Sequence, residues 1–145
     1  MIDPSFFATV LVAGMSDALV YADAEGTIQV WNRGAVRIFG FTEAEAIGQS
    51  LDIIIPASLR ERHWQGYRET IRTGQTRYGD GQTLSVPAVR KEGTRISIEF
   101  TIVPFTDTSG HMIGIAAIMR DATRSFEELR ALRKEVAALR AARAE

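Results

Sequence analysis

Cysteine is absent from all 145 residues. Without a thiol there is no disulfide, no zinc–thiolate centre, no cysteine nucleophile and no flavin–cysteine photochemistry. An excess of charge of one sign is missing too. The 17 Lys and Arg residues nearly balance 18 Asp and Glu, leaving a formal net charge of −1, so no overall field draws the chain to nucleic acid or acidic lipid. Apolar runs are short. The stretch from Ile113 to Met119 is far below the roughly 20 residues that a membrane-spanning helix needs, and Met1-Ile2-Asp3-Pro4 lacks the basic start of a signal peptide. The expectation is a cytoplasmic chain, with a membrane anchor outside this stretch left open. Enzyme signatures are lacking as well, with no HExxH, GxSxG or phosphate-binding loop. Asp107-Thr108-Ser109-Gly110-His111 gathers an acid, a hydroxyl and an imidazole, but consecutive turn residues do not converge as a triad. A regulatory rather than catalytic role is expected.

What is present is patterning for one domain and an appendage. Hydrophobic residues make up 46% of the chain, enough for a single core. Asp3-Pro4-Ser5 before Phe6, Phe7, Val10 and Leu11 predicts a short capped helix ending near Gly14. Ala18 to Ala22 and Thr27 to Trp31 read as strands joined by the turn Asp23-Ala24-Glu25-Gly26. Asn32 caps a helix to Phe39, and Thr42 with Glu45 forms a capping box. Leu59, His63, Tyr67 and Ile71 recur every four residues, one inward stripe of a helix over 58–72 that Gly74 stops. Three further strands follow, over 82–90, 94–105 and 112–121. The last is apolar almost throughout, which predicts a central position. The order predicts an α+β fold, an antiparallel five-stranded sheet with helices on one face.

The C-terminal run carries a different period. Leu129, Leu132, Val136 and Leu139 fall at spacings of three, four and three, an a/d seam. Glu128 and Glu135 then occupy g positions, and Arg133 and Arg140 occupy e positions. In a parallel homodimer each g glutamate would face an e arginine of the second copy. Two heptads are few, and a short helix is marginal alone. The alternative is a surface helix docked on its own domain.

Several motifs then agree with one family. Asp23-Ala24-Glu25-Gly26-Thr27-Ile28 into Trp31-Asn32, and Phe39-Gly40-Phe41-Thr42-Glu43-Ala44-Glu45-Ala46-Ile47-Gly48-Gln49, resemble the opening hairpin and the "FGYTEEELIGK" segment of PAS domains. Arg90-Lys91-Glu92-Gly93 resembles the family's turn before the penultimate strand, and Arg120-Asp121-Ala122-Thr123 its "RDIT" ending. The resemblance implies a flanking helix over 1–14, a PAS sensor domain over 15–123 and a signalling helix over 124–145. It also implies that Asp121 and Thr123 tie the sheet to that helix. The output domain of a histidine kinase, cyclic-dinucleotide enzyme or transcription regulator would lie elsewhere.

His63 is the candidate ligand-binding residue. Ile55-Pro56 through Arg62-His63 is similar to the axial-histidine stretch of heme-bearing PAS domains in rhizobial oxygen-sensor kinases. That resemblance implies heme b on His63, with Tyr67 on the same wall; for heme or a small ligand alike, Leu84, Ile98 and Ile115 are the candidate apolar lining. The heme group carries an oxygen-binding Arg on the next strand, where this chain reads Gln82-Thr83-Leu84-Ser85. Two alternatives stand beside heme. One is a small organic ligand among inward polar groups such as Asn32, Gln82, Ser97 and Thr101, although strand alternation points Ser97 and Thr101 to solvent. The other is a ligand-free dimerisation scaffold in which His63 is simply packed.

Overall fold

The computed structural model describes residues 1–79 and 81–144. Helix α1 spans Pro4–Gly14, strands β1 and β2 span Ala18–Asp23 and Ile28–Trp31, and α2 and α3 span Arg33–Phe39 and Glu43–Ala46. Two 3₁₀ turns, Leu51–Ile54 and Ala57–Leu59, lead into α4 at Arg60–Thr73. Strands β3, β4 and β5 follow at Leu84–Val89, Arg95–Thr106 and Met112–Asp121, and α5 runs over Thr123–Ala144. The long helix thus starts two residues later than its periodicity predicts, because Pro56 and the tight turn after it occupy 56–59.

The local signals act where expected. Asp3 accepts a hydrogen bond from the Phe6 amide at 2.9 Å to start α1. Thr42 and Glu45 close a reciprocal capping box at the start of α3. Gly74 ends α4 with φ 72°, a left-handed conformation that glycine adopts without a Cβ penalty.

The five strands form one antiparallel sheet in the order β2-β1-β5-β4-β3. β5 is central, paired with β1 from Ala18↔Met119 to Asp23↔Gly114 and with β4 from Ile98↔Asp121 to Thr106↔Met112. Its apolar sequence fits that position. β3 is an edge strand and carries Pro87, whose missing N–H an edge tolerates. One face of the sheet, with Ala18, Val20, Ala22, Ile96, Ile98 and Met119, packs under Ala35, Ile38 and Phe39 of α2 and Tyr67 of α4. Trp31, Phe39, Ile28 and Val20 are the largest fully buried side chains.

The terminal helices stand apart from that core. Neither α1 nor α5 contains a buried residue. Phe6, Phe7, Val10 and Leu11 are all at least half exposed, and so are Phe126, Leu132 and Leu139. The apolar seam of α5 therefore does not fold back onto its own domain.

Candidate functional site

The wall that α4 presents to the sheet carries His63, Trp64 and Tyr67. Tyr67 is the buried member, and its hydroxyl donates to the carbonyls of Asp23 at 2.7 Å and Ala22 at 3.2 Å. Burial, together with the nearby Asp23 carboxylate, pushes its phenol well above the ordinary value. Tyr67 thus works as a brace between helix and β1, not as an acid or base.

His63 is half-buried, and its Nδ1 is sealed from solvent with no hydrogen-bond partner among the described residues. Burial pushes the imidazole below its ordinary pKa, against the opposing pull of the Asp52 carboxylate. It is therefore held toward the neutral form, the state in which a ring nitrogen can bind a metal or accept a hydrogen bond. Trp64 packs edge-on against His63, with centroids 4.6 Å apart, and donates its indole N–H to Asp52 Oδ1 at 2.7 Å. A cleft of about 430 Å³ lies beside these rings, lined by Ala24, Glu25, Ser50, Trp64, Tyr67 and Arg68.

The other sequence candidates are distributed along the sheet. Ile115 pairs with Ala22, whose carbonyl Tyr67 holds, so it shares the Tyr67 end. Ile98 pairs with Asp121, six residues along β5 from Ile115 and so roughly 20 Å away. It is fully in the core. Leu84 is half-buried on the edge strand opposite Phe100.

The polar groups suggested for an inner pocket are committed elsewhere. Asn32 is 6% exposed, and its Oδ1 accepts from the amides of Leu19 and Ala35. Its Nδ2 donates to the carbonyls of Val12 and Asp17, which saturates the amide. Gln82 is exposed and accepts from the Gly79 amide. Ser97 and Thr101 lie on the sheet face away from the core, as alternation requires. Trp64 and Asp52 are residues to which the sequence alone assigns no role in the site. The available signal was position, since Trp64 adjoins His63 and lies one helical turn before Tyr67.

At the far end of β5 the ladder gives way to a junction. Ala122 donates its N–H to the Ser97 carbonyl at 2.8 Å. The Ser97 amide donates back to Thr123 Oγ1 at 3.0 Å. The Thr123 hydroxyl and amide both donate to Asp121 Oδ1, at 2.6 and 3.0 Å. Asp121 and Thr123 thus hold the first turn of α5 to β4 and β5 together. Arg120 adds an ion pair to Asp17 at 3.2 Å, just before β1.

Beyond the junction, Leu129, Leu132, Val136 and Leu139 are exposed along α5. Arg133, Glu135 and Arg140 are exposed beside them, and Glu128 accepts from Arg124 within the helix at 3.0 Å. Among the described residues no helix is long and apolar enough to cross a membrane, and no three His, Asp or Glu side chains gather as a metal site.

The family description of the PAS domain matches residues 16–124. The chain belongs to the PAS family. This PAS domain is a sensory module similar to the sensor protein FixL of Bradyrhizobium diazoefficiens, 35% identical over 86 residues, covering 59% of this chain and 17% of FixL. It is also similar to the oxygen sensor protein DosP of Escherichia coli, 26% identical over 100 residues, covering 69% of this chain and 12% of DosP. The chain therefore spans less than a fifth of the length of these curated relatives. Among solved structures, the PAS domain of a Colwellia psychrerythraea protein superposes with a TM-score of 0.72 at 24% identity, covering 84% of this chain and 99% of that one. An RNA-binding light-oxygen-voltage receptor gives 0.75 at 20% identity, covering 94% of this chain and 39% of the receptor. At such identities these two likenesses establish the fold alone.

Proposed function

We propose that this PAS domain is the sensing segment of a longer signalling protein. In this reading it pairs as a parallel homodimer through α5 and passes to that helix a change made at the α4 wall. The observation that carries the reading is the hydroxyl of Thr123, which receives the Ser97 amide while donating to Asp121. A helix start held by side-chain hydrogen bonds to two strands moves when either strand moves. A ligand beside His63 and Tyr67 would disturb the carbonyls of Ala22 and Asp23 that Tyr67 holds. β1 is paired with β5 along six positions, so the disturbance reaches Asp121 through the sheet. The ligand shifts the balance only by the difference in its affinity for the two states.

The exposed Leu129, Leu132, Val136 and Leu139 support the pairing, with Glu128 and Glu135 set against Arg133 and Arg140 of the second copy. Light scattering on the full chain tests it. The unaltered protein is expected as a dimer, and replacing Leu132 and Leu139 by Ala is expected to give the monomer mass. A mass unchanged by that double substitution overturns the seam.

A second reading, heme b on His63, is favoured by the buried, unpartnered Nδ1 and by the likeness to FixL. The donor chemistry fits, since a neutral imidazole is a nitrogen ligand for iron. His63 would hold the group, with Tyr67 and Ile115 at the same end of the sheet. Bound there, it would supply an iron site open to a diatomic gas. The protein's own part is to keep His63 neutral and dry. Freshly purified protein is expected to show a Soret band that His63→Ala abolishes. Its absence from heme-reconstituted protein overturns this second reading and leaves the first intact.

A further inference from the structure

The indole of Trp64 fills a slot that the surrounding residues shape for a flat ring. Its floor is Gly26, at φ 81°, where a Cβ would lie 2.1 Å from Cη2 and 2.2 Å from Cζ3 of the indole. Only glycine lets the ring press on the backbone there. Asp52 Oδ1 receives the ring N–H at 2.7 Å. Tyr67 and His63 border the ring edge-on, at interplanar angles of 74° and 80°. The cleft lined by Glu25, Ser50 and Arg68 reaches Trp64 and Tyr67 from outside.

Two features are not explained by packing alone. The Asp52 side chain is 41% exposed, so it is solvated whether or not the indole is in place. Its hydrogen bond to Trp64 is therefore a latch that water can replace. The His63 ring packs edge-on against the indole, and its Nδ1 is buried with no partner among the described residues, which carries a desolvation cost. An indole has one N–H, already given to Asp52, and so nothing left for His63. A ring with a second nitrogen has a group for each.

We infer that this slot is a ligand site held in self-occupied form by Trp64. Its ligand class is a flat bicyclic heteroaromatic with one ring N–H and a second ring nitrogen, benzimidazole-like or purine-like. The ligand enters from the cleft as the indole swings out, donates to Asp52, and brings its second nitrogen to the His63 side. Because Tyr67 borders the slot and braces β1, occupancy is felt by the sheet. The inference rests on the sensing reading and names the ligand chemistry for the same wall.

Trp64→Ala in the full chain vacates the slot while keeping a good helix former on α4. Calorimetric titration with benzimidazole is expected to show saturable binding at one site. 1-Methylbenzimidazole, which cannot donate to Asp52, is expected to bind at least about tenfold more weakly. In Trp64→Ala with Asp52→Ala that preference disappears. No saturable binding, or equal affinity for the two compounds in the single variant, overturns the site. If Trp64→Ala does not fold, acrylamide quenching of the unaltered protein decides. Trp31 is sealed at 1% exposure, so added benzimidazole should raise quenching by expelling Trp64, and unchanged quenching at saturating benzimidazole refutes expulsion. Dimer mass is read separately. A failed titration with the dimer intact removes the slot alone, whereas a monomer that binds benzimidazole removes the relay and keeps the slot.

Discussion

Thr123→Val is the sharpest probe of the junction, because it keeps the side-chain shape and deletes only the hydroxyl. Two hydrogen bonds vanish, the 2.6 Å donation to Asp121 and the 3.0 Å acceptance from the Ser97 amide. The first is to an exposed carboxylate and counts for little after solvent screening. The second strands a half-buried amide, so the expected loss is about 1–3 kcal/mol. That corresponds to roughly 5- to 150-fold faster amide exchange at Ser97, and to a Tm lower by about 3–10 °C for a domain of this size. Ala122, whose amide bonds the Ser97 carbonyl, should lose protection in parallel. Thr123→Ser, which restores the hydroxyl, should return exchange at both amides to within a few-fold of the unaltered protein. Native-state hydrogen exchange by NMR reads all three proteins. Full protection of Ser97 in Thr123→Val would refute the clamp, and so would an exchange rate in Thr123→Ser as fast as in Thr123→Val.

Asn32→Ala should cost about 2–4 kcal/mol in urea unfolding, since a cap is lost and the four backbone groups on Leu19, Ala35, Val12 and Asp17 lose their partner. Asn32→Asp should fail to rescue it, because a carboxylate cannot donate to the Val12 and Asp17 carbonyls. For His63, burial places the folded pKa below 6.5, so the unfolded chain binds the proton first. Stability present above pH 6.5 should fall as pH drops toward the folded value, and His63→Phe should flatten that slope. Glu45 is held down at about 2 by the Lys91 ammonium and the Thr42 amide. Its contribution, present above pH 4.5, should be lost between 4.5 and about 2, and Glu45→Gln should remove that part of the acid titration.

Features set by neighbours in the chain were legible. The turn before Gly26, the Asn32 cap, the Thr42–Glu45 box and the end of α4 at Gly74 each depend on residues within four positions. The central place of β5 was legible from its near-continuous apolar run, although the sheet face away from the core is not covered and leaves Ile113 43% exposed. Trp64 was not, since its role depends on Gly26 and Asp52, which only the fold brings to it. Asn32 read as a cap, yet two of its bonds reach back to Val12 and Asp17 and anchor the end of α1. Nothing in the sequence distinguishes a capping Asn that is saturated from one with a group to spare. The junction is similar, because Ser97 looked like an outward strand residue and its main chain is what holds α5.

These placements give β5 two different ends. Near Ile115 it is bound through Ala22 to the Tyr67 brace, and at Asp121 it holds the hydroxyl on which α5 starts. Between them the strand is paired on both sides, so it moves with its neighbours or not at all. Neither flanking helix buries a residue, although Asn32 ties the end of α1 through the Val12 carbonyl. The junction hydrogen bonds, at about 1–3 kcal/mol, lie within the coupling energy by which one site commonly biases another. A ligand that prefers one position of Tyr67 by about 1.4 kcal/mol changes the balance of states tenfold. In the proposed relay, a central strand paired on both sides, a brace at one end and a clamp of this size at the other would let a modest binding preference act on the start of α5.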